Sequence, residues 1–171
     1  FRSNYFRTRI NTILFVSSCI ILVSMTIISV LLVYKRNEVN MYNLMSSKIN
    51  TVQALVEDHV RHVYNWRELR NKEFFLEIEK LGNTTKSDIS IYTPEGKVFH
   101  STMPEVFEKM VLGSRMPEDA FYNIRYQHQR FYISREIVAG RTLWSLYAPI
   151  FNDSGDLIAI IAVPYTYKSF D

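Results

Sequence analysis

From Ile10 to Tyr34 the chain carries no charged residue, and its apolar run is interrupted only by small polar side chains such as Ser17, Ser18, Ser24 and Thr26. A helix of that length, at about 1.5 Å per residue, reaches roughly 37 Å and exceeds the roughly 30 Å hydrocarbon core of a bilayer. Arg2, Arg7 and Arg9 precede the run and Lys35 and Arg36 follow it, so both ends can reach headgroups. A cleaved signal peptide has a shorter apolar stretch and a small-residue cleavage site, and neither feature is found here. A transmembrane helix over 10–34 is therefore expected, flanked by 1–9.

The residues after Tyr34 are enough for one compact domain. The chain opens on Phe1 rather than Met and stops just after a strand-like segment, which reads as a piece of a longer protein. The net charge of +3 is spread among acids rather than gathered in a stripe, so nucleic acid is not an expected partner. The one cysteine, Cys19, lies within the span, leaving the soluble part without a disulfide or a cysteine metal ligand. Basic residues are balanced across the span and do not orient it. Asn83-Thr84-Thr85 and Asn152-Asp153-Ser154 match the glycosylation sequon, which has meaning only in a eukaryotic secretory pathway.

Residues 35–81 contain neither proline nor glycine, and the spacing predicts one long membrane-proximal helix. Tyr42, Met45, Ile49, Val52, Val56, His59, Val63 and Trp66 follow at alternating steps of three and four, a heptad seam flanked by Lys48, Glu57, Asp58 and Arg61. Such a seam either pairs two copies in a coiled coil, with Tyr42, Met45, Ile49, Val52 and Val56 at the dimer contact, or lies on its own domain's core. Asp58, His59 and His62 share a helix but show no third histidine or cysteine, so no metal is expected.

After Leu81 the texture changes. Gly82 to Lys86 reads as a helix stop and loop. Asp88–Tyr92 and Lys97–Ser101 alternate around the turn Thr93-Pro94-Glu95-Gly96 and form a hairpin. Pro104–Met110 and Pro117–Ile124 look like short helices, each opened by proline. Arg130–Val138, Thr142–Phe151 and Leu157–Tyr165 complete an antiparallel meander, the last strand apolar enough over 157–163 to be covered on both faces. Trp144, Leu146, Ala148 and Ile150 share one face and are expected to be core beneath the long helix. The fold class is α+β: a transmembrane helix continuing into a long helix that packs on a five-stranded antiparallel sheet, with the domain itself over 82–171.

The hairpin Ile91-Tyr92-Thr93-Pro94-Glu95-Gly96-Lys97-Val98, followed after a helical insert by the segment from Tyr147 through Asn152-Asp153-Ser154-Gly155-Asp156 to Ala159, resembles the extracytoplasmic PAS-like sensor domains called Cache domains. More narrowly, the chain is similar to the periplasmic sensor region of membrane histidine kinases from Bacteroidetes-type bacteria. The likeness covers nearly the whole chain. It implies a sheet of order 2-1-5-4-3, a pocket between sheet and cap, a cytoplasmic N-terminus, a periplasmic domain anchored in a bacterial inner membrane, and a second membrane helix after Asp171.

No G-x-G-x-x-G or G-x-x-x-x-G-K loop, G-x-S-x-G elbow or H-E-x-x-H pair occurs, so catalysis and cofactors are not expected of this segment. A small anionic or aromatic ligand would suit Arg115, Tyr122 and Tyr126 in the cap facing Tyr132 and Tyr147 on the strands, although tyrosines so placed are also ordinary core residues. The expected role is the input module of a two-component sensor histidine kinase, a signal-transducing homodimer in the membrane that senses a small molecule or a periplasmic protein. The alternatives are the input module of a chemoreceptor or cyclic-dinucleotide enzyme, and a membrane-anchored protein-interaction domain with no small ligand.

Overall fold

The computed structural model describes residues 2–103, 113–138 and 141–166. The expected helix Pro104–Met110 and the turn residues Ala139 and Gly140 lie outside them. By contacts the chain divides into two compact units, Phe1–Leu44 and Met45–Asp171, so the folded domain begins well before the expected boundary at Gly82.

Helix α1 runs Arg2–Val60. Among the described residues it is the one helix long and apolar enough to cross a membrane. Within the span large apolar side chains point outward, Phe15 being 70% and Leu31 62% exposed. Ser17, Ser24 and Thr26 satisfy their hydroxyls on the carbonyls of Leu14, Ile21 and Leu22, so they impose no unsatisfied donor on an apolar surrounding.

The second unit is built around the last turns of α1. Met45, Ile49, Val52, Val56 and Val60 are all buried within it, each such burial being worth roughly 1.5–3 kcal/mol. The heptad seam thus faces its own domain. The expected dimer contact through Met45, Ile49, Val52 and Val56 is corrected by that burial, and Tyr42 stays half exposed.

The helix also ends sooner than expected. Instead of continuing to Leu81 it stops at Val60, and the turn after the fourth strand bonds carbonyls just past its end: Asp153 N–H donates to Arg61 O at 3.1 Å and Asn152 Nδ2 to Val63 O at 3.0 Å. Two asparagines then restart helical structure. Asn65 Oδ1 caps a single 3₁₀ turn, Trp66–Leu69, and Asn71 Oδ1 accepts from Phe74 N–H to open α2, Lys72–Thr85. Helix α2 passes through Gly82, the expected stop, and ends on left-handed Lys86. Gly82 is needed for a different reason: a Cβ there would come within 2.9 Å of Ser87 O, whose amide closes the helix end on Gly82 O.

The strands are β1 Ser90–Tyr92, β2 Val98–Ser101, β3 Tyr132–Val138, β4 Arg141–Phe151 and β5 Leu157–Thr166. They form one antiparallel sheet of order β2-β1-β5-β4-β3, the PAS/Cache-like order. Central β5 is buried continuously from Ile158 to Val163. The short helix α3, Glu118–Arg125, caps the other face from α1. Met116, Ala120 and Ile124 pack there on Tyr92, Tyr147, Ile160 and Ala162. Outer strand β2 is partly sheathed by the segment before α3, since Val98 N–H donates to Ser114 O and Met116 N–H to Gly96 O.

A register shift between Ile91 and Tyr92 leaves Phe99 as an extra residue on β2. The bulge turns Phe99 and His100 toward α2 together. Phe99 meets Trp66, Phe74 and Phe75, and His100 stacks on Phe75 at 4.2 Å between ring centres.

Candidate functional site

The five residues expected to line a ligand space under the cap do not converge on one. Tyr147 is buried and packs 6.0 Å from Tyr92 within the apolar cluster beneath α3. Tyr132 sits over the same cluster, and its hydroxyl donates to Asp119 Oδ2 at 3.1 Å. Burial, followed by that bond and the charge of Asp119, holds the Tyr132 hydroxyl above its ordinary pKa of 10.0. Tyr122 and Tyr126, by contrast, point outward from α3, 54% and 62% exposed, with rings 5.9 Å apart. Arg115 is exposed on the strip that pairs with Lys97. The corrected picture is a cap packed onto the sheet through core residues, two tyrosines belonging to that packing and the other three residues lying outside it.

Asp119 is what holds the cap to the edge strand. It accepts from Tyr132 and, at 3.1 Å, from the hydroxyl of buried Ser134. Asp119 lies in the first turn of α3, where a carboxylate also offsets the exposed N–H groups of the helix start.

A cavity of about 380 Å³ lies instead at the edge of the sheet. Its origin is a mismatch in strand length: β3 begins at Tyr132, opposite Tyr147, while β4 continues to Phe151. Pro149 and Phe151 therefore turn backbone groups toward an edge that no strand covers. Proline suits that position because it has no amide to leave unpaired. Side chains of α1 seal what remains: Gln53 Nε2 donates to Pro149 O at 2.7 Å, and Phe151 N–H donates to Glu57 Oε1 at 3.4 Å. The remaining lining comes from Ile124 of α3 and from His128, Gln129 and Arg130 of the loop between α3 and β3. That loop is fixed by left-handed His128 and by two bonds from Gln129 to Asn123, one from each residue's backbone and one from the side chains. Asn50 also lines the cavity, and its Oδ1 is sealed from solvent with no hydrogen-bond partner.

In the sequence Glu57 stands out only as a flank of the seam and Arg130 only as the start of an expected strand, while Asn50 and Gln53 carry no expectation. A signal was present, since Asn50, Gln53 and Glu57 recur at steps of three and four as a polar stripe beside the apolar one. The expected histidine pair separates: His59 Nε2 faces Glu77 at 3.4 Å, and His62 Nδ1 faces Asp153 at 3.8 Å. Among the described residues no group of three His, Cys, Asp or Glu is placed to hold a metal ion. Asn152 of the second sequon is buried and bonded through both ends of its amide.

No protein-family model matches the chain, and no curated protein matches it. Solved structures do. An extracellular ligand binding receptor from Desulfohalobium retbaense is 15% identical, with a TM-score of 0.54 over 77% of this chain and 24% of that one. The chain thus spans about a quarter of that receptor's length, and the likeness is one of fold. Looser matches are the V. cholerae histidine kinase DctB sensor domain, 9% identical with a TM-score of 0.46 over 74% of this chain and 56% of that one, and the sensory domain of the Campylobacter jejuni chemoreceptor Tlp3 with isoleucine bound, 11% identical with a TM-score of 0.45 over 72% and 53%.

Proposed function

We propose that the chain is the extracytoplasmic input module of a membrane-bound bacterial sensor histidine kinase, anchored in the inner membrane with its N-terminus in the cytoplasm and the domain in the periplasm. One observation carries this reading: a single helix, α1, supplies both the spanning run and, from Met45 to Val60, a buried face of a PAS-like domain. A ligand that prefers one arrangement of the domain thereby acts on the element that enters the membrane. The module catalyses nothing itself, and the catalytic work falls to an output domain elsewhere in the protein. Association with a second copy belongs to α1 before Met45, because the seam beyond that residue is occupied by its own core.

Alkaline phosphatase fused after Asp171 in a bacterial host is expected to be active, whereas a reporter that works only in the cytoplasm should be silent there. The reverse pattern overturns the reading. A membrane-anchored protein-interaction domain is the second reading, favoured by the adjacent exposed rings of Tyr122 and Tyr126 on α3. Loss of partner capture in Tyr122→Ala with Tyr126→Ala, with no small molecule bound, would decide for it.

A further inference from the structure

We infer that the cavity at the free edge of β4 binds a small, overall uncharged molecule with an N–H donor at one end and an oxygen acceptor at the other, a zwitterion or a primary amide with a short apolar body. The inference rests on the sensor reading and gives it a site different from the space under the cap. Size sets the first limit, since about 380 Å³ is near the lower end of ligand cavities, which run roughly 300–1,000 Å³. Charge sets the second. The fixed charges on the walls are one carboxylate, the partly buried Glu57, and one guanidinium, Arg130 on the exposed rim, so their opposite signs match a ligand with a donor at one end and an acceptor at the other. Ile124, Pro149 and Phe151 supply an apolar surface between the two ends.

The amides set the third limit. Gln53 and Gln129 each already commit one Nε2 hydrogen, to Pro149 O and Asn123 Oδ1. Asn50 Oδ1 has no donor at all, and a sealed acceptor without a partner is costly. Asn50 and Glu57 both line the cavity, and a ligand N–H that reaches Asn50 Oδ1 would satisfy it. The acceptor end then meets Arg130 on the rim. Asn50, Gln53 and Glu57 all belong to α1, so occupancy bears on the membrane-entering helix directly, without passing through the sheet.

The test is calorimetric titration of the full chain in detergent micelles with β-alanine, glycine, propionamide, propionate and propylamine. β-Alanine, glycine or propionamide should bind, while propionate and propylamine should bind at least tenfold more weakly. Asn50→Leu and, separately, Arg130→Ala should each weaken the bound probe by tenfold or more. Asn50→Leu should melt no lower than the parent, because it removes an unpartnered polar atom, and Arg130→Ala alters only an exposed rim residue. Equal binding of the singly charged probes, unchanged binding in both variants, or no binding by any probe overturns the site. If the site falls in this way while the phosphatase fusion is active, the sensor reading survives without it; if the fusion is silent, the sensor reading itself has failed.

Discussion

His100 shows how one side chain makes the stability of this fold depend on pH. Its ring stacks on Phe75, its Nε2 is buried without a partner, and burial holds its pKa below 6.5, with Glu79 pulling weakly the other way. The neutral ring is therefore the folded form. Above pH 6.5 the group adds no pH dependence; below it the unfolded chain takes up a proton that the folded chain resists, so stability falls as the pH drops toward the folded pKa. Urea unfolding at pH 7.5 and 5.5 should show a smaller acid loss in His100→Phe, which keeps a ring against Phe75 but cannot titrate; an unchanged acid loss assigns the effect to other groups. Gly96 is constrained by backbone as well as by space. Its φ is +77° and an added Cβ would lie 2.9 Å from Phe121 Cδ2 and 3.1 Å from Met116 Cγ. Gly96→Ala should cost about 1–3 kcal/mol by the same measurement, and a neutral substitution would mean that the hairpin turn relaxes freely.

At the scale of elements, the strands and the apolar seam were legible because each depends on period and local turn chemistry, while the pairing order of the whole sheet was implied only by the resemblance to Cache domains. Alternation marked Ser90–Tyr92, Gly96 and Gly155 marked the hairpin turns, and the continuous apolar run of β5 marked a central strand. The end of α1 was not legible in the same way. No proline or glycine stops it; long-range bonds from Asn152 and Asp153 do, and Asn65 and Asn71 act as caps only once the chain has turned. The candidate cavity was hidden for a similar reason, since it arises from the offset between β3 and β4, and register is a tertiary quantity. Two outcomes follow. Asn71→Ala should lower stability by about 1 kcal/mol, read as a shift in the urea midpoint with unchanged slope. In a Cys19→Ser background, Val52→Cys should not cross-link two copies on oxidation, because Val52 is fully buried in its own domain, whereas Tyr42→Cys should; ready cross-linking at Val52 would restore the seam as a dimer contact.

For the molecule as a whole, the division of apolar surface between its two compact units decides what each can do alone. In 10–34 the large side chains are about half exposed or more, a surface that water does not tolerate in bulk but a bilayer does. From Met45 onward the large side chains exposed among the described residues, Leu55, Tyr64, Leu76, Met103, Tyr122, Tyr126 and Phe151, are few, and only the tyrosines of α3 form a ring pair. The core of this second unit is closed within itself: α1 from Met45, α2 and α3 cover a sheet whose central strand is buried along most of its length. A fragment covering residues 36–171 should therefore be soluble without detergent, melt in one cooperative step, and run as a monomer at micromolar concentration by light scattering. Loss of the span should not uncover the seam, because Ile49, Val52 and Val56 are filled by the domain rather than by a neighbour. Ile49→Ala in the same fragment should cost roughly 2–5 kcal/mol while leaving the monomer mass unchanged. A fragment that dimerises, and whose dimer is broken by Ile49→Ala with little change in melting, would place the seam between two copies and reverse this account of α1.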